Sequence, residues 1–185
     1  MPIMSVAKLN EALIRAARHA PHLRHLMQQH GDVRDLLAAG DLDAALARPL
    51  RDADPDQPIA QALRHAKGQL ALAVAIGDLS GLLDLESVTL ALSDFADIAL
   101  DRAIAAAISE YQPGAPALGL AAIALGKHGS RELNYSSDID PILIFDPQTL
   151  PRRARDEPVE AAVEAVEHDH GHDHDHSQCG HDHGH

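Results

Sequence analysis

The chain has 185 residues, 28 acids against 15 bases, and a formal net charge of -13. Hydrophobic side chains make up 45% of it but aromatic ones only 2%, so a core must be built from Ala and Leu, a composition that favours helix. An acidic chain without a Lys/Arg cluster lacks the electrostatic footprint for nucleic acid or an anionic membrane surface, and no apolar run reaches the roughly 18 residues of a spanning helix.

From Ser5 to Ala17 the apolar positions Val6, Leu9, Leu13 and Ile14 recur at helical spacing, with Ser5 as the expected N-cap. Pro21 suits a first helical turn. Gly31-Asp32 and Gly40-Asp41 each read as a stop followed by a cap, so three short helices are expected up to Leu46. The stretch from Pro49 to Pro58, with Asp52, Asp54 and Asp56 among its prolines, reads as a linker loop. A helix is expected from Ile59 to near Gly77. Ser87 is the expected cap of the longest pattern, in which Val88, Leu92, Phe95, Ile98 or Ala99, Arg102 and Ala106 trace one stripe to Tyr111. Gln112-Pro113-Gly114-Ala115-Pro116 ends it.

Beyond that break the apolar runs become short. Leu118 to Leu125 and Ile142 to Phe145 suit two buried strands with a polar, Gly-containing turn between them. Nine acids and no Lys or Arg follow from Asp156 onward, which leaves 19 acids and 15 bases, or -4, for residues 1–155. From His168 the sequence is low-complexity His/Asp/Gly, a composition expected not to order itself without a ligand. Lys8, Glu11 and Arg15 break up any leader-like apolar core. The single Cys179 excludes an intramolecular disulfide, in agreement with a reducing cytoplasm.

The chemistry concentrates between the two apolar runs, in Gly126-Lys127-His128-Gly129-Ser130-Arg131-Glu132-Leu133-Asn134-Tyr135-Ser136-Ser137-Asp138-Ile139-Asp140. In a strand, residues two apart share a face, so Asp138 and Asp140 would present carboxylates about 7 Å apart while Ile139 faces the core. Two such carboxylates can hold Mg2+ or Mn2+, with substrate phosphates completing the shell. Gly129-Ser130 before a short polar helix would bring backbone N–H groups close to phosphate. Asp-x-Asp alone is a weak signal, common in loops and edge strands.

The run Arg131 to Asp140, with its flanking strands, resembles the core of the polymerase-beta-like nucleotidyltransferases in the version found in the glutamine synthetase (glutamate-ammonia ligase) adenylyltransferase family. Leu90-Ala91-Leu92-Ser93-Asp94-Phe95-Ala96-Asp97 and Leu63-Arg64-His65-Ala66-Lys67 resemble the helices preceding that core, and the likeness covers roughly residues 10–158. Together with the residue pattern it gives an expected α+β chain: a helical region over 1–112, an incomplete polymerase-beta-like nucleotidyltransferase core over 113–158 and, from composition, an acidic helix with a disordered His-rich tail over 159–185. It further implies adenylyl transfer to, or phosphorolytic removal from, a tyrosine of glutamine synthetase, with the sequence matching the start of the first, adenylyl-removing half.

The same resemblance implies that Asp138 and Asp140 are catalytic and ligate Mg2+ or Mn2+, that Gly129, Ser130 and Lys127 hold the phosphates of ATP or ADP, and that glutamine synthetase is the partner. Three departures stand out. Gly129-Ser130 replaces a usual pair of glycines, Pro141 stands where an apolar residue is usual, and no later strand supplies a third carboxylate. A truncated domain of impaired activity is therefore expected.

His128 and Lys127 also read as ordinary loop residues, and Glu132 as a stabiliser of the first turn of the short helix. His19, His22, His25 and His30 read as surface residues, since a pair such as His22 and His25 lacks a third ligand. The tail differs in kind. His168, His170, His172, His174, His176, Cys179, His181, His183 and His185 offer imidazoles and one thiol to Zn2+ or Ni2+. The rival to the enzyme reading is a non-enzymatic protein with a vestigial aspartate pair and a metal-sequestering tail.

Overall fold

In the computed structural model, residues 2–51 and 57–151 are described. The order is α1 (Pro2–His19), α2 (Pro21–Gln29), α3 (Gly31–Ala39), α4 (Leu42–Arg51), α5 (Ile59–Leu79), α6 (Leu85–Tyr111), β1 (Leu120–Ala124), α7 (Gly126–Gly129) and β2 (Pro141–Phe145). This is a mostly helical α+β arrangement with one small sheet. None of the described helices is long and apolar enough to cross a membrane.

The helical part follows from residue spacing. In α1, Leu9, Ala12, Leu13 and Ala16 are buried, one stripe at helical period. Ile14 falls off that stripe and is exposed. Helix α1 begins at Pro2, so Ser5 lies inside it rather than capping it. Pro21 opens α2, where its missing N–H costs nothing. The chain then breaks at His30, and α3 ends on Gly40 at φ 90°, the left-handed conformation that favours glycine. The Asp41 carboxylate accepts the Ala44 N–H at 2.9 Å and starts α4.

Two expected boundaries move. Helix α4 runs through Pro49 to Arg51, so the expected linker loop does not begin at Pro49. A proline in a final turn forfeits only one backbone hydrogen bond, and Pro49 is itself fully buried. Residues 52–56 of that expected loop lie outside the described ones. Helix α6 is capped by Asp84, whose side chain accepts the Ser87 N–H at 2.8 Å. Ser87 is thus the third helical residue, because the acid three positions earlier takes the free N–H groups.

Helix α5 is the centre of the bundle and packs against α1, α2, α3, α4 and α6. Its buried residues include Ala66, Leu70, Leu72, Ala73, Val74 and Ile76. Leu72, Ala73 and Ile76 join Leu9, Leu13, Leu26, Met27, Val33 and Leu37 in the main core. Leu70 and Val74 turn the other way, to Val88 of α6, with Leu92 and Phe95 packed alongside. The small residues let helices approach closely, which suits a core with few large aromatics.

Strands β1 and β2 pair antiparallel, with Leu120 opposite Phe145 and Ala124 opposite Pro141. They were expected to be buried, but Ile123, Ile142, Leu143, Ile144 and Phe145 are all exposed. An apolar run shows affinity for a core, whereas burial also needs a second layer, and here β1 packs mainly against β2, with α7 beside it.

Candidate functional site

The ribbon register places the Leu125–Gly129 turn and Asp140 at the same end of β1 and β2. Residues 125–140 join the strands there. The only helical piece among them, α7, ends at Gly129, with Ser130 as its C-terminal cap. The expected order is therefore reversed: Gly129-Ser130 closes a helical turn instead of opening one, and no helix N-terminus points from it toward a phosphate. Glu132 lies outside any helix for the same reason.

Gly129 has a packing role. A Cβ there would stand 2.5 Å from the Ala124 carbonyl oxygen of β1, a backbone atom that cannot yield cheaply. The Ser130 hydroxyl lies 3.2 Å from the Gly126 carbonyl and turns back on its own turn. Lys127 is exposed.

Four contacts fasten this connection to α5 and α6. His128 is buried, 2% exposed, and donates its Nε2–H to Asp97 Oδ1 at 2.8 Å. Arg131, at φ 61°, pairs with Asp94 and lies 3.7 Å from Asp97. The Leu133 N–H donates to Ser93 Oγ at 3.3 Å, and the Ser93 hydroxyl donates in turn to Thr89 O at 2.8 Å. The Tyr135 hydroxyl donates to Asp78 Oδ2 at 3.2 Å. Burial raises the Tyr135 phenol well above its ordinary value, and the neighbouring Asp78 carboxylate raises it further.

His128 is thus a buried anchor, where a loop residue was expected. Arg131 and Tyr135 are anchors that sequence reasoning passed over. A signal was present: Asp94 and Asp97, three apart on a helix, share a face and match the N–H donors of His128 and Arg131, three apart in the turn.

Asp138 and Asp140 lie in the irregular residues just before β2, and both are exposed. They precede the strand rather than belong to it, and Ile139, expected to face the core, is 40% exposed. Among the described residues no group of three His, Cys, Asp or Glu is placed to hold a metal ion. Two exposed carboxylates nevertheless suit Mg2+, which is held by one or two carboxylates together with substrate phosphates and water.

Two cavities adjoin this connection. One of about 300 Å3 lies between α5, α6 and residues 133–139, with Asp138 among its lining residues. The other, of about 730 Å3, lies against α2 and α5 and includes Arg64, Asp78 and Tyr135. Lys67, Ala71 and Tyr135 line both.

Elsewhere, His19, His22 and His25 are exposed, as expected for surface residues. His30 departs from that expectation. It is buried and meets His65 edge-on at 4.7 Å between ring centroids, so its pKa is lowered by burial first and by His65 next. His168, His170, His172, His174, His176, Cys179, His181, His183 and His185 lie outside the described residues.

A family model described as glutamate-ammonia ligase adenylyltransferase matches residues 1–165. The bifunctional glutamine synthetase adenylyltransferase/adenylyl-removing enzyme of Caulobacter vibrioides is 39% identical over 166 residues, which is 80% of this chain and 17% of that protein. Its counterpart in Xanthobacter autotrophicus is 37% identical over 152 residues, 73% of this chain and 15% of that protein. The Rhizobium meliloti protein of the same name is 33% identical over 181 residues, 85% of this chain and 18% of its own length. The chain therefore spans between 15% and 18% of the length of these curated relatives. No solved structure matches it.

Proposed function

Because the chain belongs to the glutamate-ammonia ligase adenylyltransferase family, we propose that it supplies part of a nucleotidyltransferase that moves AMP onto or off a tyrosine of glutamine synthetase. On this reading residues 113–158 are part of a polymerase-beta-like core. Asp138 and Asp140 hold Mg2+ or Mn2+, and Lys127, Gly129 and Ser130 lie beside the phosphates of ATP or ADP. With Gly129-Ser130 at the end of a helical turn, the phosphate contact rests on the exposed Lys127 ammonium and on the Ser130 hydroxyl.

The observation that carries the proposal is the anchoring of the aspartate-bearing connection. His128, Arg131, Leu133 and Tyr135 tie it to α5 and α6, while Asp138 and Asp140 remain exposed. Such a division suits transfer at phosphorus, where the protein's contribution is chiefly positioning and charge neutralisation. In adenylyl removal, an oxygen of inorganic phosphate forms a bond to the AMP phosphorus as the bond from phosphorus to the tyrosine oxygen breaks. ADP leaves, and the tyrosine oxygen takes a proton from water. The divalent ion, when bound, neutralises charge on the phosphate oxygens. Asp138 and Asp140 supply its carboxylate oxygens, and the anchors hold those carboxylates in one place. Positioning matters because a misplacement of about 1 Å can cost about 100-fold in rate.

Calorimetric titration with ATP or ADP and Mg2+ tests the assignment. Metal-dependent nucleotide binding is expected in the parent and is expected to be lost in Asp138→Asn/Asp140→Asn. Equal metal-dependent affinity in both would overturn it. Phosphate-dependent release of ADP from adenylylated glutamine synthetase is the matching activity readout.

A further inference from the structure

The smaller cavity beside Asp138 has the chemistry of a slot for one aromatic ring. Its walls are apolar: Leu70 and Ala71 from α5, and Leu92, Phe95, Ala96 and Ala99 from α6. Three of these residues are alanines and one is Phe95, and the volume is about 300 Å3. Leu133, 4% exposed, is pinned over it through its N–H to Ser93.

The polar residues on the rim sort the possible occupants. Asn134 Oδ1 accepts the Ser136 N–H at 2.9 Å, Ser137 Oγ accepts the Asn134 N–H at 3.0 Å, and the Tyr135 hydroxyl is spent on Asp78. These groups hold the connection in shape. Lys67 and Asp138 also line the slot, and no hydrogen bond or ion pair among the described residues engages the Lys67 ammonium. A purine carries several polar atoms around its edge, and each one buried unpaired costs about 1–3 kcal/mol. A phenol has a single polar atom, at one end, so its ring can fill the apolar part while its oxygen stays at the mouth.

Resting on the adenylyl-transfer reading, we propose that this slot receives the phenol ring of the substrate tyrosine, with Lys67 facing the tyrosine oxygen beside Asp138. Lys67 then stabilises negative charge on that oxygen, as the attacking group when AMP is added and as the leaving group when it is removed. In removal the bond changes are those already given; when AMP is added, the tyrosine oxygen gives its proton to water and forms a bond to the α-phosphorus of ATP as the bond from that phosphorus to the β-phosphate oxygen breaks and pyrophosphate leaves.

The test uses the full chain with 4-methylphenol, the tyrosine side chain in isolation, followed by NMR. The expected result is shifts at Phe95 and Ile139, and a loss of affinity of about tenfold or more in Ala96→Leu, which fills the slot. Lys67→Met is an independent arm on an exposed residue. Bound 4-nitrophenol, read by its absorbance, should ionise at lower pH than the free compound in the parent, and this shift should vanish in Lys67→Met. Absence of the Phe95 and Ile139 shifts would overturn the proposal, and so would displacement of 4-methylphenol by adenosine. The calorimetric experiment separates the two readings. Nucleotide binding without phenol binding removes the slot alone, and phenol binding without metal-dependent nucleotide binding removes the adenylyl-transfer reading and with it the substrate-tyrosine assignment, leaving a phenol-binding slot.

Discussion

His128 and Asp97 form a hydrogen bond of 2.8 Å in which the imidazole side chain is 1% exposed and the carboxylate 50%. The buried partner depends on the exposed one, because the ring has no water to turn to. Its Nδ1 is also buried and has no partner among the described residues. Asp97→Ala should therefore remove the imidazole's one hydrogen bond and destabilise the chain by about 1–3 kcal/mol. Arg131→Lys, on an exposed pair, should cost less than about 1 kcal/mol. Urea midpoints of the two variants decide between them. Equal losses would show that the buried imidazole carries no special weight.

The Tyr135–Asp78 contact gives an alkaline limb. The Tyr135 phenol is raised from an ordinary value of 10.0 by burial and then by Asp78. Above that ordinary value the unfolded chain releases a proton that the folded chain keeps, so stability falls as pH rises beyond 10.0 and is fully present below it. Tyr135→Phe should flatten this limb. Asp78→Asn should bring the phenol down part of the way, since burial remains while the negative charge is gone. Unfolding midpoints between about pH 9 and 11 check it. An unchanged limb in Tyr135→Phe would assign it to another group.

What was legible in the sequence was local. Six helices were expected close to where they lie, because periodicity and Pro/Gly breaks act within one or two turns. The cap of α6 was misread as Ser87, although Asp84 stands within the same turn and competes for the same N–H groups. The spacing of Asp94 and Asp97 marks a shared acidic face, but the pairing of the anchors was not legible, since they join residues far apart: 31 positions separate Asp97 from His128, and 57 separate Asp78 from Tyr135. No spacing rule reaches that far. The resemblance located the Asp138/Asp140 segment, but it did not say that Ile139 would be exposed or that Gly129 would be needed for packing.

His30 gives an acid limb. Its pKa is lowered from 6.5, chiefly by burial and then by His65, so the folded chain binds fewer protons than the unfolded one. Stability is complete above 6.5 and falls as pH drops through that value toward the lowered native one. Asp32 works against the shift and His25 adds to it. His30→Gln should reduce the slope of stability against pH between about 5 and 6.5. The slope of urea midpoints over that range is the measurement, and a slope equal to the parent's would clear His30 of responsibility.

The imidazoles from His168 to His185, with Cys179, are expected to bind Zn2+ or Ni2+ through their own donors. Affinity should fall below about pH 6.5, where a protonated ring has no lone pair to give. Deleting residues 168–185 should abolish tight Zn2+ binding and leave the helical circular dichroism of the remainder in place. The same Zn2+ stoichiometry after deletion would move the ligands to the body, with His19, His22, His25 and His30 the next to substitute.

Gly129→Ala tests whether the turn glycine serves packing. The added methyl would meet the Ala124 carbonyl oxygen at 2.5 Å and its carbon at 3.2 Å, both backbone atoms in a strand that pairs with Pro141. Relief requires the α7 turn or the end of β1 to move, and overpacking of this kind costs about 1–3 kcal/mol. The movement would strain the His128–Asp97 bond, which hangs from the same turn. Loss of stability should therefore come with faster amide exchange at residues 128–133. Gly81→Ala, where a Cβ meets nothing within 4 Å but φ is +68°, pays for conformation alone and should leave those amides unchanged. If Gly129→Ala behaved like Gly81→Ala in both measurements, the close approach to β1 would have no energetic consequence, and the glycine would be free to serve phosphate instead.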